Sequence, residues 1–267
     1  MTSESRAVPG DGTEPDVAIE METDVELALR LATQAGHGLL KVRRQLVESG
    51  ARPWQVMDGG DTASQRFLAD ELERVRPDDA VLSEEGLEDP RRFVLDRVWI
   101  IDPLDGTREF GEPGRPDWAV HVALWTGSSF GAGAVSLPAM GLAFGTDPPA
   151  VVPPSGRSRP RLVTSRSRPP YAAAVVAHAL EAQAVQLGSA GAKAMSVVTG
   201  DTDIYVHDGG MYQWDSAAPA AVALAACLHV SRIDGSPIVY NDRDPWLPDL
   251  LLCRPEWAAP VLHALWG

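Results

Sequence analysis

Acidic side chains follow apolar runs at two places in the sequence. Asp102 and Asp105 come directly after a run of tryptophan and isoleucine in residues 99–107, and Glu84 follows the apolar residues of segment 81–85. Proline and glycine around the two aspartates predict a turn that brings both carboxylates to one point. Carboxylates held together repel one another unless a cation lies between them, and Mg²⁺ prefers such oxygen ligands. The sequence therefore predicts a divalent-cation site.

The predicted site gains a third acidic position at Asp215, which follows Trp214 at the start of a predicted helix. No histidine stands next to these carboxylates in the sequence, and this disfavours zinc. With Glu84 and the two aspartates of segment 102–105, these side chains carry four negative charges, and a phosphate monoester dianion raises the total to six. About two or three divalent cations balance that charge, so metal-assisted phosphoryl chemistry is the working hypothesis.

Other interpretations of these acidic residues remain open at this point. Asp61 and Asp215 each precede a predicted helix, where a lone aspartate usually caps free backbone amides. Glu84 and Glu85 alone are typical of a solvated loop. A phosphatase of the haloacid-dehalogenase type carries its two aspartates two positions apart, whereas those of segment 102–105 are three apart, which argues against that class. A non-catalytic divalent-ion sensor would explain the carboxylates without any reaction.

The composition is that of a folded protein without a membrane segment. Of the 267 residues, 45% are hydrophobic and 22% are charged, and no apolar run reaches the roughly 20 residues that span a membrane. The net charge of -14 comes from 23 basic and 37 acidic residues. Because such a surface repels polyanions, we expect neither nucleic acid nor an anionic membrane to be a partner. Cys227 and Cys253 lack the spacing of a zinc site or a disulfide framework, so we expect a reducing, cytoplasmic setting.

Helices and strands are predicted on both sides of the acidic segments. A capping box at Thr23 begins a helix that reaches Gly50, residues 52–60 are expected to be irregular, and a second helix covers 62–76. Further helices are predicted over 171–182, 192–199 and 216–226 and from Pro255 onward. Strands are predicted over 80–82, 97–101, 119–125, 131–136, 141–144, 161–164, 184–187, 203–206, 230–233, 238–240 and 250–253.

The chain is expected to comprise a tail and two subdomains. Residues 1–20 are polar and acidic, lack the basic start and apolar stretch of a signal peptide, and predict a disordered tail. The proline-rich stretch 148–160 is the break in composition that marks a boundary. We therefore expect a metal-binding α+β subdomain over residues 21–150 and a C-terminal α/β subdomain over residues 151–267 that completes the active site.

Several motifs together resemble the signatures of the inositol monophosphatase superfamily, in order and spacing. They are Ser83-Glu84-Glu85, Asp102-Pro103-Leu104-Asp105-Gly106-Thr107 and Trp214-Asp215-Ser216-Ala217-Ala218-Pro219. Two further motifs, Arg108-Glu109-Phe110 and Ser165-Arg166-Ser167, are similar to the 3'(2'),5'-bisphosphate nucleotidase branch, known in bacteria as CysQ. The resemblance implies an α/β (α+β) fold that forms an alternating αβαβα layered sandwich. It also implies a lithium-sensitive, Mg²⁺-dependent phosphatase that converts 3'-phosphoadenosine 5'-phosphate to AMP in sulfate assimilation.

The resemblance also assigns roles to individual residues. The implied metal ligands, for two or three Mg²⁺ ions, are Glu84, Asp102, Asp105, Asp215 and the carbonyl of Leu104. The implied catalytic pair, which orients and deprotonates the attacking water, is Asp61 and Thr107. The implied substrate contacts are Gly106, Thr107, Arg108, Arg168, Ser189, Lys193 and His207. A homodimer is a possible assembly, and inositol monophosphate or fructose 1,6-bisphosphate is the alternative substrate for the same metal site.

The sequence departs from the family pattern at three places. Residues 55–61 replace the usual Ser-Pro-Val-Thr-x-Ala-Asp and keep none of its serine, proline or threonine. Arg168 stands where the family commonly has histidine, and His207 stands where it commonly has arginine. Because arginine offers phosphate a planar fork that is always charged, we expect Arg168 to bind the non-scissile phosphate of the nucleotide, with His207 in a weaker role. The alternative is that Arg168 is one more solvated charge in a basic loop.

Overall fold

The structure is a computed structural model and describes residues 22–267, so the tail expected at residues 1–20 lies outside the described residues. The helices are α1 (Asp24–Glu48), α2 (Pro53–Val75), α3 (Thr107–Gly111), α4 (Tyr171–Ala179), α5 (Ala190–Val198), α6 (Gln213–Ala225) and α7 (Pro255–Trp266). The strands are β1 (Ala80–Ser83), β2 (Arg97–Asp105), β3 (Ala119–Thr126), β4 (Phe130–Leu137), β5 (Leu142–Gly145), β6 (Arg161–Ser165), β7 (Gln183–Leu187), β8 (Ile204–His207), β9 (Met211–Tyr212), β10 (His229–Ser231), β11 (Trp246–Leu247) and β12 (Leu250–Cys253). None of the helices in this range is long and apolar enough to cross a membrane.

Two five-stranded sheets form the frame of the fold. In the first sheet the strand order is β1-β2-β3-β4-β5, with β1 parallel to β2 and the other pairs antiparallel. In the second sheet the order is β10-β12-β8-β6-β7, with β6 parallel to both β7 and β8. The two short strands β9 and β11 pair separately, next to the start of α6.

Helices form three layers around the two sheets. Helices α1 and α2 pack on one face of the first sheet, α5 and α6 lie between the sheets, and α4 and α7 cover the outer face of the second. This order is the alternating αβαβα sandwich, so the fold expected from the resemblance is confirmed. Residues 146–160 connect the two sheets, and the division into two subdomains at 148–160 stays a prediction.

Helix α1 begins with the capping box that the sequence predicts. Thr23 Oγ1 accepts a hydrogen bond from the Glu26 amide at 3.3 Å, and the Glu26 carboxylate accepts one from the Thr23 amide at 2.9 Å. Leu27, Leu31 and Leu39 are almost fully buried in the core that the helix shares with the first sheet. The local signals of cap and apolar spacing are therefore enough to place this helix.

Helix α2 runs through the segment that was expected to be irregular. It begins at Pro53, whose ring suits the first turn of a helix, and it continues without a break to the end of the predicted second helix. A glycine inside it permits close packing, since a Cβ on Gly60 would lie 2.5 Å from a ring carbon of α3. The prediction of an irregular segment over 52–60, with Asp61 capping a later helix, is therefore wrong.

The strand predicted over 238–240 is an irregular segment. Tyr240 packs there against Trp125 and Phe130, with ring centroids 5.6 and 5.0 Å apart. Its apolar pattern therefore reflects burial in the core and not pairing in a sheet. Strands β9 and β11 were not predicted from the sequence, because strands of two residues carry too little pattern to detect.

Candidate active site

Three carboxylates meet where strand β2 ends and helix α6 begins. Asp102 and Asp105 lie at the end of β2, where its pairing with β3 shifts register, and Asp215 lies in the first turn of α6. Carboxylate oxygens of these three residues lie within 4.8 Å of one another. The Ser64 hydroxyl of α2 donates a hydrogen bond of 2.6 Å to the carbonyl of Pro103 and so fixes the turn between the two aspartates.

Glu84 follows strand β1, which runs parallel to β2 and ends beside it. It lies outside the group whose oxygens approach within 4.8 Å, yet it interacts with that group electrostatically. Burial, followed by the negative charges of Asp215 and Asp105, raises the pKa of Glu84 to about 7. The parallel pairing of β1 and β2 thus places the fourth expected metal ligand at the edge of the cluster.

The cluster concentrates negative charge in a buried position. Burial and then the charge of Asp105 raise the pKa of Asp102, which is 1% exposed, well above its ordinary value. Asp102 Oδ1 accepts the amide of Leu104 at 3.0 Å, whereas Asp102 Oδ2 has no hydrogen-bond partner within residues 22–267. Burial and Asp105 also raise the pKa of Asp215 to about 6. A cation bound among these carboxylates would offset their repulsion.

The N-terminus of helix α5 holds Asp105. The amides of Gly191 and Ala190 donate hydrogen bonds of 2.6 and 3.2 Å to its two carboxylate oxygens. Burial raises the pKa of Asp105, but the His121 ring and the Gly191 amide outweigh burial, and the pKa falls below its ordinary value. Asp105 is therefore the carboxylate of the cluster whose charge the protein itself stabilises best.

His121 accompanies the carboxylates, so the expectation of a site without histidine is wrong. Its Nε2 lies 3.3 Å from Asp105 Oδ2, and its Nδ1 lies 3.1 Å from the carbonyl oxygen of Trp214. Burial lowers the pKa of this imidazole, but the Asp105 carboxylate outweighs burial and raises it. The residue is distant in sequence because antiparallel pairing sets it opposite Asp102 on the neighbouring strand. Antiparallel pairing of the predicted strands 97–101 and 119–125 would have placed it beside the carboxylates.

Asp61 and Thr107 meet beside the carboxylate cluster. Thr107 Oγ1 lies 3.3 Å from Asp61 Oδ1 and 3.1 Å from the carbonyl oxygen of Leu104. Burial, followed by the charge of Glu85, raises the pKa of Asp61 to about 6. A carboxylate with a pKa near neutrality and a hydroxyl partner can accept a proton from water. The structure thus brings together the two residues expected to act on the attacking water.

A cleft of about 490 Å³ opens at the start of helix α3. It is lined by residues of the α3 segment, which follows strand β2, by the segment after β6, and by the loop after β8. Five of the expected substrate contacts line it: Gly106, Thr107, Arg108, Arg168 and His207. The cleft therefore brings together Thr107 of the expected catalytic pair and two arginines, Arg108 and Arg168, from different halves of the chain.

Ser189 and Lys193 are buried outside the lining of the cleft. Ser189 caps α5 by accepting the Ala192 amide at 2.8 Å, and the Lys193 ammonium donates to the carbonyls of Gly188 and Ser189 at 2.6 and 2.9 Å. Both side chains thus fix the turn between β7 and α5, and their contact with substrate stays a prediction. Gly106 packs on this turn: its φ is +85°, and a Cβ there would lie 2.8 Å from the Cβ of Ser189.

Arg168 and His207 differ in the charge that they bring to the cleft. Arg168 is exposed, and its amide donates to Ser165 Oγ at 3.2 Å. His207 Nε2 lies 3.0 Å from the carbonyl oxygen of Gly210, and burial lowers the pKa of the imidazole. Neutral His207 therefore donates one hydrogen bond to the backbone, whereas Arg168 carries a permanent positive charge.

The inositol monophosphatase family model matches residues 20–266, and the chain belongs to this family. A 3'-phosphoadenosine 5'-phosphate phosphatase from Mycobacterium tuberculosis is 50% identical over 243 residues, which cover 86% of this chain and 89% of the relative. A protein of the same name from Mycobacterium leprae is 46% identical over 90% of this chain and 92% of its own. The 3'(2'),5'-bisphosphate nucleotidase CysQ of Escherichia coli K12 is 29% identical over 82% of this chain and 94% of its own.

Solved structures of the family share the fold. Inositol monophosphatase II from Staphylococcus aureus superposes with a TM-score of 0.71 at 20% identity and covers 88% of this chain and 92% of its own. SuhB from Mycobacterium tuberculosis superposes with a TM-score of 0.67 at 26% identity and covers 90% of this chain and 94% of its own. The family and the CysQ-type branch indicated by the sequence motifs are therefore confirmed.

Proposed function

We propose that the chain is a Mg²⁺-dependent phosphatase that removes the 3'-phosphate of 3'-phosphoadenosine 5'-phosphate and gives AMP. The observation that carries this proposal is the cluster of Asp102, Asp105 and Asp215, which Thr107 connects to an arginine-bearing cleft. The names of the mycobacterial relatives, at 50% and 46% identity, support the substrate. The chemistry of the cleft supports it too, because permanent positive charge away from the cluster suits a second phosphate.

The carboxylate cluster fits Mg²⁺. Its donors are hard oxygens, and the buried Asp102 Oδ2 has no hydrogen-bond partner in the part of the chain that the structure describes. The residues that would hold the ions are Glu84, Asp102, Asp105, Asp215 and the carbonyl of Leu104. When bound, Mg²⁺ neutralises charge on the phosphate and lowers the pKa of a bound water. The number of ions, two or three, stays a prediction.

The residues of the chain position and deprotonate the attacking water. Asp61, paired with the Thr107 hydroxyl, accepts a proton as the water oxygen bonds to phosphorus. The bond between phosphorus and the ribose 3'-oxygen breaks, and that oxygen takes up a proton from solvent water. The backbone amides of Gly106 and Thr107, at the start of α3, bind phosphate oxygens. This direct displacement leaves no side chain covalently modified.

Arg168 is proposed to bind the phosphate that remains on the product. Arg168 lines the cleft together with residues of α3, and it belongs to the segment that follows β6 of the second sheet. Its exposed guanidinium can approach two phosphate oxygens at once. Neutral His207 would contribute a hydrogen bond or a stacking contact, so the charge that the family draws from one position comes here from another.

Steady-state phosphate release on four substrates tests the proposed function. The substrates are 3'-phosphoadenosine 5'-phosphate, AMP, inositol 1-phosphate and fructose 1,6-bisphosphate, each with Mg²⁺ and with EDTA. We expect kcat/KM for the bisphosphate nucleotide to exceed the others by at least about tenfold. A preference for inositol 1-phosphate or fructose 1,6-bisphosphate would assign the chain to the alternative substrates.

Three further properties are proposed with this function. Millimolar Li⁺ should inhibit, because a small monovalent ion can occupy a Mg²⁺ position without supplying its charge, and a Li⁺ titration at limiting Mg²⁺ measures this. A homodimer and a cytoplasmic location stay predictions, for which sedimentation and cell fractionation are the measurements. The net charge of -14 supports the expectation that neither nucleic acid nor an anionic membrane is a partner.

A further inference from the structure

Two motifs that stand far apart in the sequence contact each other in the structure. Arg166 Nη2 lies 2.8 Å from Glu109 Oε1 and 2.7 Å from Glu112 Oε1. Glu109 belongs to helix α3, which follows the first sheet, whereas Arg166 follows strand β6 of the second sheet. These three residues, named here the Arg166 clasp, join the two halves of the chain beside the cleft.

The clasp neutralises a buried carboxylate that faces the cleft. Glu109 lines the cleft, and its side chain is 7% exposed. It packs directly on Gly188, where an added Cβ would lie 2.2 Å from Glu109 Cδ. Without Arg166, this carboxylate would stand unpaired in the cleft, where its negative charge would repel the second phosphate of the proposed substrate.

The clasp also anchors the turn that carries Arg168. The Arg166 amide donates to the carbonyl of Leu187 at 3.1 Å, and the Arg168 amide donates to Ser165 Oγ at 3.2 Å. The guanidinium of Arg166 links this turn to Glu109 of α3, a helix whose first residue is Thr107. The link sets the distance between the proposed site of the scissile phosphate and that of the second phosphate.

Helix α3 has a second support that does not depend on the clasp. The Arg43 guanidinium of α1 donates to the carbonyls of Arg115, Glu109 and Glu112 at 3.0, 3.3 and 2.5 Å. Loss of the Arg166 side chain therefore leaves the Glu109 carboxylate unpaired and removes the side-chain link between α3 and the turn after β6, while α3 and Thr107 stay in place.

We propose that Arg166 is a positioning residue that determines specificity for substrates with two phosphates. It cancels the charge of Glu109 and holds the turn of Arg168 at the spacing that a bisphosphate nucleotide needs. This inference rests on the proposed function, because it concerns the second phosphate of the proposed substrate. The proposed role also gives a physical reason for two motifs of the sequence, Arg108-Glu109-Phe110 and Ser165-Arg166-Ser167. Each motif supplies one partner of the ion pair between Glu109 and Arg166.

Kinetics of Arg166→Ala on two substrates test the proposal. We expect KM for 3'-phosphoadenosine 5'-phosphate to rise about 10- to 100-fold with kcat within about threefold, and kcat/KM for inositol 1-phosphate to stay within about threefold. The control is Arg159→Ala, which removes an exposed pair with Glu181 at 2.9 Å and should change neither substrate. An equal loss on both substrates would overturn the proposal.

Two further variants separate positioning from a general structural role. Adding Glu109→Gln to Arg166→Ala removes the unpaired charge, so the double variant should regain at least about fivefold of the lost KM. Arg166→Lys should keep KM within about threefold of wild type, because one nitrogen of Arg166 makes both contacts and an ammonium can replace it. A double variant no better than Arg166→Ala, or a lysine variant as poor as the alanine one, would overturn the proposal.

The wild-type protein separates this inference from the proposed function. Absence of Mg²⁺-dependent phosphate release from 3'-phosphoadenosine 5'-phosphate by wild type would overturn both. Release by wild type together with unchanged KM in Arg166→Ala would overturn the inference and leave the function standing. If Arg166→Ala does not fold, the lysine variant still decides, because a KM for the bisphosphate more than about tenfold above wild type contradicts the expected rescue.

Discussion

Replacing Asp215 by asparagine should make the metal-free protein more stable than wild type and should remove most of the stabilisation that Mg²⁺ gives. Burial and then Asp105 raise the pKa of Asp215 from its ordinary 3.8 to about 6. A raised pKa means that the folded protein disfavours the charged carboxylate, so stability is lost as the pH rises from below 3.8 to above 6. Asparagine is neutral at every pH, and its side-chain oxygen can still accept the Tyr212 amide, which lies 2.6 Å from Asp215 Oδ2.

The size of the effect follows from the two pKa values of Asp215. The interval from 3.8 to about 6 corresponds to about 3 kcal/mol of unfolding free energy at pH 8, at about 1.4 kcal/mol per pH unit. In a chain of this length, that free energy shifts Tm by roughly 5 to 10 °C. At pH 5 the carboxylate is largely protonated in the folded protein, and the advantage of Asp215→Asn should shrink to about half.

Thermal unfolding in EDTA and in Mg²⁺ provides the assay. Saturating Mg²⁺ at about 100 times its Kd should stabilise wild type by about 2.7 kcal/mol, and Asp215→Asn should lose most of this gain. The matched control is Asp70→Asn, an exposed carboxylate of α2 whose replacement should shift Tm little in either condition. An Asp215→Asn protein that is less stable than wild type in EDTA at pH 8, or that gains as much from Mg²⁺, would refute the reasoning.

The remaining predictions concern the catalytic pair, the packing of α2 and the second phosphate. Asp61→Asn and Thr107→Ala should each lower kcat by at least about tenfold, and the double variant should be little worse than the worse single one; additive losses would indicate separate roles. Gly60→Ala should cost about 1–3 kcal/mol of unfolding free energy, whereas Gly38→Ala, with no described atom within 4 Å of its Cβ, should not; equal denaturation midpoints would contradict this. Arg168→Ala should lower kcat/KM about 10- to 100-fold for the bisphosphate nucleotide alone, and an equal loss on inositol 1-phosphate would count against a phosphate contact.

Features that depend on neighbouring residues were predictable from the sequence. The capping box of α1 is a local hydrogen-bond pattern between Thr23 and Glu26, so the sequence shows where this helix begins. The turn from Asp102 to Asp105 is encoded by the proline and glycine around it, and it places both carboxylates in the cluster. The layered fold was available only through the resemblance, because single helices and strands do not reveal how the two sheets stack.

Features that depend on pairing between distant segments were not predictable from local pattern. His121 reaches the cluster because β3 pairs with β2, and Arg166 reaches Glu109 across 57 positions of sequence. Gly60 looked like a break in a helix, since the same residue serves turns and close helix contacts, and only the packed structure distinguishes the two. Lys193 looked available to substrate, yet its ammonium is buried against backbone carbonyls.

Chromatographic analysis of the products formed from 3'-phosphoadenosine 5'-phosphate tests the central claim most directly. Thr107, which contacts Asp61, and Arg168, the proposed contact of the second phosphate, line the same cleft. We expect one phosphate and AMP in the presence of Mg²⁺, no product in EDTA, and a rate at least about 100-fold lower for Asp105→Asn. Adenosine 3'-phosphate as the product, or turnover that continues unchanged in EDTA, would contradict the claim.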